Sequence, residues 1–173
     1  MRDVVAHAGA PRGSLQHYFP RGKDQLVAEA VEWAGAYAAR RVRRSFESLD
    51  EPTPGAFFAA MVDQWRDEFT ERGYDGGCPL VATVADTAAV NESLRETVSS
   101  AFTGWQRPVS ETLSQLGVPP ARAASLAVLM ISALEGAIVL ARAHQDVGPL
   151  DVVVEELRPV LDGAVDKRRR RPA

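Results

Sequence analysis

The sequence predicts an all-α fold, with an N-terminal helix-turn-helix ahead of a C-terminal helical bundle. Three observations predict it. Apolar residues recur every three to four positions along most of the 173 residues, the period of a helix with one buried face. No stretch alternates as a pair of strands would. The breaks rich in glycine and proline fall between the periodic stretches, not inside them. They divide the chain into a helix-turn-helix at 1–26, a long connecting helix at 27–49, a bundle at 50–166 and a basic tail at 167–173.

The stretch from Arg2 to Leu26 reads as two short helices joined by a tight turn. Val4, Val5 and Ala8 form the apolar face of the first. Gly9 stands where a helix ends in a left-handed residue. Pro11 is expected to open the second helix, because its missing N–H is one the first turn leaves unpaired anyway. Leu15 and Phe19 then point inward at i and i+4, while Arg12, Ser14, Gln16, His17 and Tyr18 face outward or edge-on. Pro20 and Gly22 separate this helix from the next. Two short helices with an outward row of polar donors make a helix-turn-helix.

That row suits double-stranded DNA. Gln16 can pair bidentately with adenine and Arg12 with guanine. Ser14, His17 and Tyr18 can reach bases or phosphates. Gly13 offers a backbone N–H with no side chain to hold a phosphate away, and Lys23 lies at the start of a helix, where the dipole favours an anion. The competing reading of each is a solvated helix face.

A long amphipathic helix follows from Asp24 to about Leu49, with Leu26, Ala30, Trp33, Ala34, Tyr37, Val42 and Phe46 on its stripe. Arg40, Arg41, Arg43 and Arg44 read as a solvated face. The Glu51–Gly55 break ends it. Helices are then expected at 54–72, 80–89, 91–116 (capped by Asn91 and kinked at Pro108), 121–145 and 150–165. The last two carry broad apolar stripes. Leu126, Leu129, Ala133, Ala137 and Ile138 on one, with Val153, Leu157, Val160 and Leu161 on the other, suggest a surface reserved for a second copy of the chain. The run Lys167–Arg171 reads as a solvated tail.

Composition excludes several classes. One cysteine rules out an internal disulfide framework and fits a reducing cytoplasm. No apolar run nears 18 residues, so no membrane span is expected, and the charged N-terminus is no signal peptide. The net charge of -3 argues against non-specific nucleic-acid binding by the whole chain, but allows a locally basic head. His7, His17 and His144 are scattered and none stands at metal-ligand spacing with Cys78. Cys78 reads as a small buried hydrophobe. No phosphate loop or catalytic constellation appears, so neither cofactor nor metal is expected and the chain does not read as an enzyme.

The segment AHAGAPRGSLQHYFPRGKDQL resembles the signature of the TetR family of bacterial transcription repressors. Gly77-Cys78-Pro79-Leu80 resembles a second signature, of the LmrA/YxaF-type regulators. The resemblance implies that the second helix of the motif enters the major groove, with the positions of Gln16, Tyr18 and Lys23 touching DNA. A tyrosine is usual at the position of Gln16, so base preference is expected to differ here. It implies that the final two helices pair across a two-fold axis as a four-helix bundle. It implies an effector pocket enclosed by the helices that carry Phe58, Met61, Trp65, Trp105, Met130 and Leu134, whose aromatic and thioether side chains suit an apolar or aromatic molecule. Glu135, one acid in an apolar stripe, would meet a cationic ligand or pair with Arg142.

Members of the family carry another helix before this motif, so the expectation is a longer N-terminus with Met1 an internal methionine. The function expected is a repressor that acts as a homodimer on a palindromic operator and is released by a small effector. The alternative is a ligand-binding and dimerisation module without DNA activity, for want of that helix.

Overall fold

The computed structural model describes residues 2–11, 13–87 and 90–166; Arg12, Ala89 and the basic run from Lys167 lie outside the described residues. The described chain is helical throughout: α1 (Arg2–His7), α2 (Ser14–Tyr18), α3 (Lys23–Glu47), α4 (Pro54–Arg72), α5 (Pro79–Thr87), α6 (Glu92–Gln115), α7 (Pro120–His144) and α8 (Gly148–Asp162).

Local chemistry sets most boundaries. Gly9 takes a φ of 59° after α1, and the N–H groups of Gly9 and Ala10 return to the carbonyls of Ala6 and Val5. This double return closes the last turn with a residue that has no Cβ to clash. Pro11 does not open α2. Its carbonyl accepts from Ser14 N–H at 3.0 Å, which makes a turn ahead of the helix, and α2 starts at Ser14. Thr53 caps α4 by accepting from Ala56 N–H at 3.1 Å, and Asn91 caps α6 by accepting from Leu94 N–H at 3.1 Å. Pro108 lies inside α6, which is helical on both sides of it.

The main core is built by α4, α6, α7 and α8. Phe57, Phe58, Val62, Leu113, Leu126, Met130, Leu134, Ile138, Leu150 and Leu161 are fully buried there. A smaller cluster of Val31, Ala34, Leu80 and Val98 joins α3 to α5 and α6. The sequence shows no unbroken apolar run of membrane length, yet α7 has the length and apolarity of a span, with a mean hydropathy of 2.1 over its richest stretch. Half of that stretch is buried inside the protein, where Ala123, Leu126, Ala127, Met130, Leu134 and Ile138 fill the bundle. The apolarity is that of a central core helix.

The long helix α3 ties the two ends of the chain together. Its first turn follows α2 directly. There Gln25 donates to the Tyr18 carbonyl and accepts from Arg21 N–H at 3.0 Å, while Asp24 accepts from the Asn91 side chain at 3.0 Å. Its middle lies along α6 at close range. A Cβ on Gly35 would stand 2.8 Å from Cβ and 3.2 Å from Cα of Ala101. Backbone must therefore move to admit one. We expect Gly35→Leu to lower the urea midpoint by the equivalent of about 1–3 kcal/mol; an unchanged midpoint would show that the two helices separate freely.

Candidate functional site

Three surfaces or spaces gather chemistry, and α3 touches two of them. The first is the outward side of α2. Gly13, Gln16, His17 and Tyr18 are exposed, and Tyr18 is 69% exposed. Leu15 and Phe19 are half-buried on the opposite side. The His17 and Tyr18 rings meet edge to face at 5.0 Å, and the side chains of Gln16, His17 and Tyr18 have no hydrogen-bond partner among the described residues. Ser14 is half-buried at the first position of α2. Lys23 is exposed at the first position of α3, without an ion-pair partner among the described residues. The polar row of α2 is thus presented to solvent with its donors and acceptors unspent. Arg12, expected in it, falls outside the described residues.

The second is a cavity of about 290 Å³ between α3, α4, α7 and the segment leading into α5. Trp33, Tyr37, Arg41 and Ser45 line it from α3, and Met61, Gln64, Trp65 and Glu68 from α4. Gly77, Cys78 and Leu80, with Trp105 and Leu134, close it. All three tryptophans of the chain line it. Trp33 and Tyr37, one turn apart, stack at 5.3 Å with their planes 6° apart. The Arg41 guanidinium lies 5.6 Å from the ring centroids of both Tyr37 and Trp65, a cation held on two aromatic faces. It donates to Gln64 and pairs with Glu68 at 3.7 Å. Burial holds it below the ordinary arginine range, and Tyr37 and Glu68 act against that.

Of the residues expected to enclose a ligand, Met61, Trp65, Trp105 and Leu134 line this cavity. Phe58 and Met130 do not: both are fully buried in the bundle core. Trp33, Tyr37 and Arg41 belong to the cavity but read, in the sequence, as parts of a stripe and a charge run. The packing of α4 against α3 half-buries Tyr37 and Arg41 there, while Trp33 borders the cavity and stays 64% exposed.

Glu135, also expected to meet a ligand, does not line the cavity; it lies beside Cys78 and next to Leu134, which do. It is 7% exposed, and neither carboxyl oxygen has a hydrogen-bond partner. Burial pushes its pKa up to about 7, opposed by the Cys78 thiol beside it. Burial, and then the charge of Glu135, push the Cys78 thiol up to about 12. A thiol held protonated in this way is a poor nucleophile. Arg142 does not pair with Glu135. It lies two turns further along α7 and donates to the carbonyls of Tyr74 and Asp75 at 3.2 and 3.3 Å, fastening the Gly73–Cys78 segment to α7. Those carbonyls lie outside any helix and take the guanidinium first.

The third is the outer side of α7 and α8. The chain's own core takes several residues expected to meet a partner: Leu126, Ala137, Ile138 and Leu161 are buried within it, and Ala133, Val153 and Leu157 are half-buried against it. Leu129 and Val160 remain exposed. Beside them lie Val128, Val139, Leu140 and Val152, each between 48% and 56% exposed. On α7 the spacing 128, 132, 136, 139, 140 marks one apolar and small-residue face opposite the core.

Residues 54–156 match the family model described as transcriptional regulator LmrA/YxaF-like, C-terminal domain. The chain is 37% identical over 175 residues to an uncharacterised HTH-type transcriptional regulator of Mycobacterium tuberculosis (strain ATCC 25618 / H37Rv), covering 97% of this chain and 86% of that protein. It is 29% identical over 150 residues to the HTH-type transcriptional regulator LmrA of Bacillus subtilis (strain 168), covering 87% and 79%. Among solved structures, a regulatory protein TetR from Rhodobacter sphaeroides matches with a TM-score of 0.79 at 22% identity over 91% of this chain and 85% of that one. A TetR transcriptional regulator from Legionella pneumophila matches with 0.78 at 17% identity, over 92% and 84%.

Proposed function

Because this chain belongs to the TetR family of transcriptional regulators, in its LmrA/YxaF-like branch, we propose that it is a ligand-responsive repressor that binds a palindromic operator as a homodimer. The observation that carries this reading is the unspent polar row on α2, with Gln16, His17 and Tyr18 exposed together and Lys23 at the next helix start. Gln16 would read an adenine edge, and Tyr18 and Lys23 would hold phosphates.

The exposed face of α7 and α8 supports a second copy as partner. Its valines and leucines are continuous and flanked by Ser132 and Gly136, which let helices approach closely. A two-fold axis there would set the two reading helices about 34–36 Å apart, one turn of DNA. The cavity supports an effector of apolar or aromatic character. Seven of its lining residues are on α3, whose other end follows directly on the helix-turn-helix. An effector that fits better when α3 is tilted would favour a dimer whose spacing no longer matches the operator. Differential affinity for the two geometries is all that release requires.

Binding to the DNA flanking its own gene, against random DNA of equal length and at two salt concentrations, tests this. Gln16→Ala is expected to weaken specific binding by about tenfold or more with little effect on random DNA, whereas Tyr18→Ala should weaken both. Lys23→Ala is expected to weaken both and to reduce the salt slope by about one. Equal affinity for flanking and random DNA would remove the repressor reading and leave a ligand-binding dimerisation module.

A further inference from the structure

Buried carboxyl oxygens without a hydrogen bond are uncommon, because each forfeits the water it had in the unfolded chain. Glu135 has two such oxygens on a side chain more than nine-tenths buried. Its position gives that loss a use. Cys78 lines the cavity and its thiol acts on Glu135, while Leu134, next to it on α7, lines the cavity too. Glu135 is therefore one side chain behind the cavity wall, in surroundings that screen charge weakly.

The charged groups that line the cavity are already paired, Glu68 with both Arg41 and Arg72. Arg41 has Glu68, Gln64 and two aromatic faces. An anionic ligand would have to compete with Glu68 for it. A cationic ligand would have, just behind Cys78, a buried carboxyl with only the weak thiol donor beside it. Trp33, Tyr37, Trp65 and Trp105 add aromatic faces, which attract a delocalised cation and bury a flat ring.

We propose that the cavity takes a lipophilic aromatic cation, whose charge is drawn to the inner end by Glu135 and whose rings lie among the tryptophans. This rests on the reading of the cavity as the effector site and specifies what that effector is. Glu135 is a specificity-determining residue here. The charge of the ligand, felt through the Cys78 side chain or directly once that side chain rotates, favours ionised Glu135. Binding should therefore strengthen as pH rises through neutrality. The other titratable groups at the cavity are Cys78 from the segment before α5, Tyr37 and Arg41 from α3, and Glu68 and Arg72 from α4. Arg142, on α7 itself, is engaged with backbone carbonyls. Of these only Cys78 acts on the ionisation of Glu135.

Two probes share a three-ring skeleton and differ in charge: 9-aminoacridine, a cation, and 9-anthracenecarboxylate, an anion. Calorimetric titration of the full chain with each, at pH 6 and pH 8, is the test. We expect 9-aminoacridine to bind at least tenfold more tightly than the anion, and more tightly at pH 8 than at pH 6. Glu135→Gln should remove both the preference and the pH dependence, and Glu135→Asp should restore part of each. Thermal melts of the variants establish that they fold. Tighter binding of the anion, or a preference unaltered in Glu135→Gln, would overturn the proposal while leaving the cavity as the effector site. Binding of neither probe would remove the cavity reading as well.

Discussion

Between pH 4.5 and pH 7 the folded chain is expected to lose about 3 kcal/mol of stability through Glu135 alone. Unfolded, the carboxyl has its ordinary pKa of 4.5; folded, burial raises it to about 7. The native state thus binds more protons than the unfolded state across that window, and stability falls as pH rises through it. Below the unfolded value the contribution is fully present; above the folded one it is gone. About 2.5 pKa units at about 1.4 kcal/mol each set the size. Urea midpoints of the wild-type chain and of Glu135→Gln, measured at pH 5 and pH 8, check it. The variant should lose most of the difference between the two pH values that the wild type shows. Parallel pH profiles would mean that the carboxyl does not titrate in this range.

Gly136→Glu is expected to have the largest effect on assembly. In the single chain a Cβ at Gly136 meets nothing within 4 Å, so the substitution fits without strain. Within α7 it also replaces glycine by a better helix former, worth roughly 0.5 kcal/mol or more. The monomer should therefore hold or gain stability. In the proposed dimer the same position lies at the centre of the apolar face, and two copies would bring two carboxylates together across the axis. We expect sedimentation to show monomers at concentrations where the wild type is dimeric. Operator affinity should fall by at least 100-fold, because the two half-sites are no longer read by one particle. A variant that stays dimeric would move the interface off this face.

The helices were readable because their ends are written in local chemistry. Asn91 before an apolar stripe, Pro54 at the head of α4 and Gly9 after α1 each mark a boundary within one turn. Pro11 misled because the same fixed φ serves a turn as well as a helix start. The exposed polar row on α2 was legible for the same reason as the ends: the helix has one side of apolar residues and one of polar ones.

The last two helices were less so. α7 is apolar nearly all round, so its period cannot say which side meets the chain's own core and which is left outside. Leu126 and Val128 look alike until α4, α6 and α8 are in place. Glu135 shows the same limit. Arg142 lies on its face of the helix, but an irregular segment some 60 residues earlier in the chain competes for the guanidinium and takes it. Nothing local to α7 records that competition.

The placement of the tryptophans has one more consequence. Indole emission depends on polarity and on nearby quenchers, and in this chain every indole borders the cavity. Excited at a wavelength that only indole absorbs, the protein's emission is therefore a report from the borders of that one space, undiluted by any indole elsewhere. Nature has built the chain with its own optical gauge of occupancy, and a solution of it needs no dye, tag or label to reveal when the space is filled.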